Sequence, residues 1–126
     1  MTYLIVFLGA GIGGAARHGV NLAVGRFGWT AFPLATLLIN VSGSFVMGLV
    51  AEYFAQKAHL PQHWRLFLAT GILGGFTTFS AFSLEAVLLY ERGRLSLAAL
   101  YVAASTVLSI AALFGALALV RALVRG

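Results

Sequence analysis

The chain contains no cysteine and no aspartate, and it has only three glutamates and two prolines among its 126 residues. Without cysteine there is neither a disulfide framework nor a thiolate metal site. With charged residues at only 9%, the chain lacks the polar surface that a soluble domain of this size needs. What is present is apolar: hydrophobic residues make up 61%, and the mean hydropathy is +1.00. Four apolar segments account for nearly everything. At a rise of 1.5 Å per residue, about 20 residues cross the hydrocarbon core of a bilayer, and each segment is long enough to do so. The expected architecture is an all-α membrane protein, a single four-helix transmembrane domain over residues 1–126, in contact with lipid. Because the first segment lacks a cationic n-region and more spans follow it, it reads as a retained first helix, not a cleaved signal peptide. The net charge of +5 is scattered among the spans. Arginines flanking lipid headgroups account for it, so no nucleic-acid partner is expected.

The first span, residues 3–24, holds Gly9-Ala-Gly11-Ile-Gly13-Gly14, a match to the dinucleotide pattern G-x-G-x-x-G. A dinucleotide-binding unit needs an acidic residue about 20 positions further on and alternating strands and helices. The first acidic residue here is Glu52, and the next elements are again span-length. Gly9 and Gly13 instead make a G-x-x-x-G face, which lets two membrane helices approach closely. Arg17 falls late in this span, either as an arginine snorkelling to the interface or as a fixed positive charge beside an anion's route. Residues 26–32 form a short connection, and Pro33 stands where a first helical turn tolerates it.

The second span, 33–54, carries Thr36, Asn40, Ser44 and Gly48 at four-residue spacing, hence on one side of a helix. Asn40 at mid-span needs partners in hydrocarbon and can donate two hydrogen bonds, to an ion or to a neighbouring helix. In the connection 55–63, His59 and His63 flank Pro61 and have no third ligand nearby, so they read as solvated. The fourth span, 96–120, places Tyr101, Ser105 and Ser109 in register as a polar track.

The third span, 66–90, has the most unusual centre: Gly71-Ile-Leu-Gly-Gly-Phe-Thr-Thr-Phe-Ser-Ala-Phe-Ser83. A helix that stops at Gly74 or Gly75 and restarts at Thr77 or Thr78 uses glycine as terminator and threonine as N-cap. Such a break at mid-membrane must be buried in protein or line a wet cavity. The first half-helix then offers carbonyls to a cation, and the second offers N–H groups to an anion. A continuous helix with small residues for close packing is the alternative. Beyond the break, Phe79 and Phe82 share a face, as do Ser80 and Ser83, and Glu85 follows.

These residues together resemble the Fluc (CrcB-like) family of small fluoride channels. The likeness covers the whole chain and rests on Gly14-Ala-Ala-Arg17, Thr36-Leu-Leu-Ile-Asn40-Val-Ser-Gly-Ser44-Phe45 and, above all, the stretch from Gly71 to Glu85. The resemblance implies an antiparallel, dual-topology homodimer with two pores, exporting fluoride passively across the bacterial cytoplasmic (inner) membrane and conferring fluoride resistance. It also implies a structural sodium ion at the dimer centre, held by the backbone carbonyls of Gly74 and Thr77 from each subunit. Phe79 and Phe82 would line the pore, Asn40 would donate to the ion, and Tyr101, Ser105 and Ser109 would match the polar track. Arg17 is counted with the candidate anion pathway, its two readings, snorkelling arginine or fixed charge, both standing.

The runner-up is a small proton-coupled carrier of the small-multidrug-antiporter type. That class couples protons through a carboxylate in its first helix, which is absent here; Glu85 keeps a reduced version of it open. A non-conducting membrane subunit leaves the polar stripes unexplained. An enzyme is not expected, since no nucleophile–base pair or metal cluster is present and no catalytic residue is assigned.

Charge balance bears on orientation. With the N-terminus inside, Lys57, Arg65, Arg121 and Arg125 face Arg26, Arg92 and Arg94 across the bilayer, and Arg17 at its interface removes the difference. The positive-inside rule then gives no preference, which suits insertion both ways and antiparallel pairing about a two-fold axis in the membrane plane. C-terminal reporter fusions are expected to show both orientations in one membrane, and two or three added arginines in one connection should lock one of them. A wild-type chain found wholly in one orientation contradicts dual topology.

Overall fold

The computed structural model describes residues 1–27, 32–57 and 59–125, so the connection read at 26–32 lies in part outside the described residues. Every regular element among the described residues is helical. In order these are α1 (Thr2–Gly25), α2 (Leu34–Gln56), α3 (Gln62–Arg65), a π-helical stretch (Leu66–Leu73), α4 (Gly74–Phe76), α5 (Phe79–Glu91) and α6 (Leu95–Arg125). Among the described residues, four lengths are long and apolar enough to cross a membrane: Thr2–Gly25, Leu34–Gln56, Gln62–Glu91 and Leu95–Val124.

The termini of these helices follow local chemistry. Pro33 precedes α2 and contributes only its carbonyl, which accepts from the Leu37 N–H at 3.4 Å. The end of α5 is set by Gly93, whose φ of +78° is left-handed and costs glycine nothing. There the Arg94 N–H closes on the Leu89 carbonyl at 2.9 Å and the Gly93 N–H on that of Tyr90 at 3.0 Å, a Schellman closure. α6 follows at once. Its 31 residues span about 46 Å at 1.5 Å each, more than the hydrocarbon core requires.

Packing divides the chain into two helix pairs. α2 lies along α6 over most of its length, with α5 also against α6, while α1 packs on the π stretch and α4. The α1 seam is made by the expected G-x-x-x-G face, since Gly9 and Gly13 are its buried residues. A Cβ at Gly9 would stand 2.8 Å from the Phe67 carbonyl oxygen and 2.9 Å from the Gly71 Cα. At Gly13 it would collide with the Ile72 carbonyl. Gly11 and Gly14, on other faces, meet nothing within 4 Å. Backbone therefore rests on backbone along this seam, the arrangement that small residues permit where lipid supplies no hydrophobic drive.

The helix ends beside the central glycines differ from the sequence expectation. Gly74 keeps helical angles (φ −62°, ψ −37°), and helix continues through Phe76. The extended residues are Thr77 (φ −81°, ψ 156°) and Thr78 (φ −151°, ψ 126°). Neither glycine ends the helix, and Gly75 serves proximity, whereas a Cβ at Gly74 would meet only the Ala69 carbonyl at an ordinary 3.7 Å. A Cβ at Gly75 would lie 2.8 Å from the Cα of Ala10 and overlap its carbonyl. One at Gly43 of α2 would occupy the space of the Thr77 methyl group.

Gly13→Ala is expected to open the α1 seam at the cost of an overpacked core site, roughly 1–3 kcal/mol, while Gly14→Ala should be nearly neutral. Thermal unfolding in detergent checks the pair. Equal midpoints would contradict the seam.

Candidate functional site

The backbone between Phe76 and Phe79 breaks the helical ladder, so its polar groups need other partners. Asn40 supplies two of them. Its Oδ1 accepts from the Thr78 N–H at 3.1 Å and its Nδ2 donates to the Thr78 carbonyl at 3.2 Å. The side-chain amide thus stands in for a neighbouring strand, using one of its two N–H groups and leaving the other. Thr78 also caps α5: its hydroxyl accepts from the Ala81 N–H at 3.2 Å. The Thr77 hydroxyl turns back to the Leu73 carbonyl at 2.9 Å, the oxygen that also receives the Thr77 N–H at 3.0 Å.

Following the carbonyls shows what these choices leave. In a continuous helix the Gly74 carbonyl would receive the Thr78 N–H, which goes to Asn40 instead. The Thr77 carbonyl would receive the Ala81 N–H, which goes to the Thr78 hydroxyl. The Gly75 carbonyl is taken by Arg17, whose Nε donates to it at 3.3 Å. Gly74 and Thr77 have therefore lost their helical donors, and the Gly75 oxygen is bonded to a guanidinium.

Arg17 accordingly stands apart from the cavity in which its companions meet. It neither reaches away toward an interface nor lines that cavity; it ties α1 to the end of α4, where a cation also complements the helix dipole.

Asn40, Thr77, Phe79, Phe82, Ser105 and Ser109 converge between α2, α5 and α6, while Gly74 and Tyr101 are not in the cavity wall. A cavity of about 370 Å³ is lined by Asn40, Gly43, Ser44 and Met47 from α2, and by Thr77, Thr78, Phe79 and Phe82. From α6 come Ser105, Thr106, Ser109, Ile110 and Leu113. Phe79 is 78% exposed, while Phe82 is half-buried. Their rings lie 5.5 Å apart, tilted by 49°, and Phe82 lies 5.1 Å from the ring of Tyr101. Tyr101 meets Phe32 edge-on at 5.5 Å and belongs to a buried cluster with Leu89 and Ala98. An aromatic row thus leads from the cavity into the core.

Tyr101 is wholly buried and Ser105 nearly so. The hydroxyls of Tyr101, Ser105 and Ser109 are all inaccessible, and among the described residues none has a hydrogen-bond partner. Buried polar groups are paired nearly always, and an unpaired one costs roughly 1–3 kcal/mol. Three such groups stand at four-residue spacing on one face of α6. Beyond Tyr101, Thr36 donates its hydroxyl to Glu85, and Glu85 borders a second opening of about 320 Å³ with Asn21 and Arg92. Among the described residues no three His, Cys, Asp or Glu side chains cluster to hold a metal, so a cation here would rest on backbone oxygens.

Sequence reasoning identified Asn40 as needing partners but missed that Thr78 is one of them. It also missed the Thr36–Glu85 contact. These pairs are 38 and 49 residues apart, and no local spacing signals them.

Comparison with known proteins gives consistent matches over this chain. Residues 4–117 match the family described as CrcB-like protein, Camphor Resistance (CrcB). A protein of Granulibacter bethesdensis named fluoride-specific ion channel FluC is 69% identical over 126 residues, covering 100% of this chain and 99% of that relative. One of the same name from Rhodopseudomonas palustris is 64% identical over 123 residues, covering 98% and 99%. Fluoride-specific ion channel FluC 2 of Nitrobacter hamburgensis is 58% identical over 121 residues, covering 96% and 98%.

Asn40→Ala is expected to leave both Thr78 groups unpaired, lowering stability by about 1–3 kcal/mol for each group left dry. Ser42→Ala, which removes only local bonds to the Leu38 and Ile39 carbonyls, should have little effect. Thermal unfolding compares the two; an unchanged midpoint for Asn40→Ala contradicts the clamp.

Proposed function

The chain belongs to the CrcB-like family, and on that premise we propose that it is a fluoride-selective ion channel that exports fluoride passively across the bacterial cytoplasmic membrane. The observation that carries this reading is the line of unpartnered hydroxyls of Tyr101, Ser105 and Ser109, continuous with a cavity walled by Asn40, Phe79 and Phe82. Fluoride gives up strong hydration on entering hydrocarbon, so it needs hydrogen-bond donors at short intervals. The free N–H of Asn40 and the three hydroxyls provide them in sequence. Ring edges carry the positive side of the aromatic quadrupole, so Phe79 and Phe82 can face the ion edge-on. Each contact is weak, which lets the ion leave as readily as it arrives. The first N–H groups of α5, capped by Thr78, add a fixed positive potential on the same side.

The same proposal includes an antiparallel, dual-topology homodimer in which residues 62–91 form one span interrupted at mid-membrane and each subunit contributes to two pores. Phe79, largely exposed in the single chain, then finds its neighbours at the subunit interface. A structural sodium ion fits at the dimer centre. The Gly74 and Thr77 carbonyls have lost their helical donors, and neutral carbonyl oxygens suit a hard cation. These two residues would hold it, and Arg17 would keep the intervening Gly75 carbonyl out of the set. The bound ion would supply positive charge that orients the carbonyls; the anion path runs through side chains instead.

Flux measurements on the purified protein in liposomes test the reading. A chloride-excluding, voltage-following fluoride current is expected, sharply reduced in folded Phe79→Ile and Phe82→Ile variants and diminished when a large organic cation exhaustively replaces sodium. Rings that only pack predict near-normal flux, since volume-conserving swaps cost less than about 1.5 kcal/mol. Proton-driven exchange would instead favour the carrier reading of Glu85. Flux and assembly indifferent to sodium, after time for slow exchange, would remove the cation.

A further inference from the structure

The far end of α2 carries a feature that ion conduction does not use. A groove of about 430 Å³ runs between α2, the start of the π stretch and α6, walled by Val46, Val50, Phe54, Leu60, Trp64 and Leu68 among others, all apolar or aromatic. Leu60 and Trp64 belong to the connection after α2, where the Leu60 N–H closes on the Lys57 carbonyl at 3.0 Å. That turn places Lys57, His59, His63 and Arg65, all exposed, around the end of the groove. No acidic residue occurs between 57 and 65. The nearest one in sequence on α2, Glu52, is engaged by Arg121, whose Nε lies 2.7 Å from its Oε1. The collar is therefore cationic and uncompensated. Tyr53 and Trp64, partly exposed, give it the amphipathic aromatics typical of headgroup depth.

We propose that this site holds an anionic phospholipid, with an acyl chain in the groove and the phosphate against Lys57 and Arg65. Charge complementarity favours this occupant over a second copy of the chain. In a parallel pair the collar would meet its own kind. In an antiparallel pair it would meet the connections bearing Arg26, Arg92 and Arg94 against the single Glu91. Either way cations face cations, whereas an anionic headgroup neutralises them and its chain covers the apolar walls.

Native mass spectrometry of the purified protein, titrated with palmitoyl-oleoyl phosphatidylglycerol or the matching phosphatidylcholine, tests the site. Phosphatidylglycerol is expected to remain bound under conditions that strip phosphatidylcholine. The double variant Lys57→Gln/Arg65→Gln should weaken its binding by about ten- to thirty-fold, as two lost attractions near a membrane surface imply. Leu68→Trp, which fills the groove, should weaken it too, with folding of each variant checked by circular dichroism. Equal retention of the two lipids would overturn the proposal, as would unchanged retention in the folded double variant. Efficient Leu60→Cys cross-linking between copies would overturn it as well, since it would show a second chain in the groove.

Discussion

The structure depends on satisfying the backbone at Thr77 and Thr78 in apolar surroundings. Two extended residues between helices release N–H and C=O groups that hydrocarbon cannot bind. Asn40 takes both groups of Thr78, the Thr78 hydroxyl takes the Ala81 N–H, and Arg17 takes the Gly75 carbonyl. Each partner comes from a different part of the chain. α1, α2 and the segment itself must therefore be in place together, and the local geometry is a product of the whole fold. Asn40 joins the backbone to the cavity most directly: it fixes the backbone that it faces and is itself part of the cavity wall.

Close packing makes those partners reachable. An arginine on α1 can reach the Gly75 carbonyl only because Gly9 and Gly13 let α1 lie backbone to backbone on the π stretch and α4. On the other side, Gly43 leaves room for the Thr77 methyl, so α2 is close enough for Asn40 to meet Thr78. Any side chain larger than hydrogen at these points separates helices whose polar contacts are at ordinary hydrogen-bond length. The glycines are thus coupled to the polar groups energetically, although none of them touches the cavity except Gly43.

What was legible in the sequence was what repeats or stands out locally. Four apolar runs of span length, a G-x-x-x-G face and a serine–tyrosine register on α6 are periodic, so helix geometry converts them into faces. Asn40 and Arg17 stood out by chemistry, since a polar group in an apolar run must have a partner. Which partner it has was not legible. Thr78, Gly75 and the Thr36–Glu85 pair are set by how helices dock, and sequence spacing carries no record of docking. The glycines at 74 and 75 were misread for the same reason. Taken alone, glycine suggests a helix end; Gly75, beside Ala10, is instead a point of contact, and the helix runs through both glycines to Phe76. The roles given to the cavity residues draw on the family likeness as well, because spacing indicates a polar path and not which ion follows it.

The distribution of positive charge fits the chemistry of a weak-binding conduit. The guanidinium nearest the centre is committed to a carbonyl, and the cavity itself is walled by an amide, hydroxyls and aromatic rings without a cationic side chain. A free ammonium or guanidinium there would hold a small anion tightly and slow its release. Dipoles aimed from fixed backbone and side-chain positions act over short range and release without a charge separation step. A hydroxyl proton can turn toward whatever acceptor is present, so the Tyr101, Ser105 and Ser109 hydroxyls, which have no partner among the described residues, are able to donate to a polar occupant. Their lack of partners in the folded chain is a cost to stability that a water or an anion removes. On the proposed reading, that cost would give the path its affinity for a polar guest, and spreading it over successive small groups would keep any one site from becoming a trap.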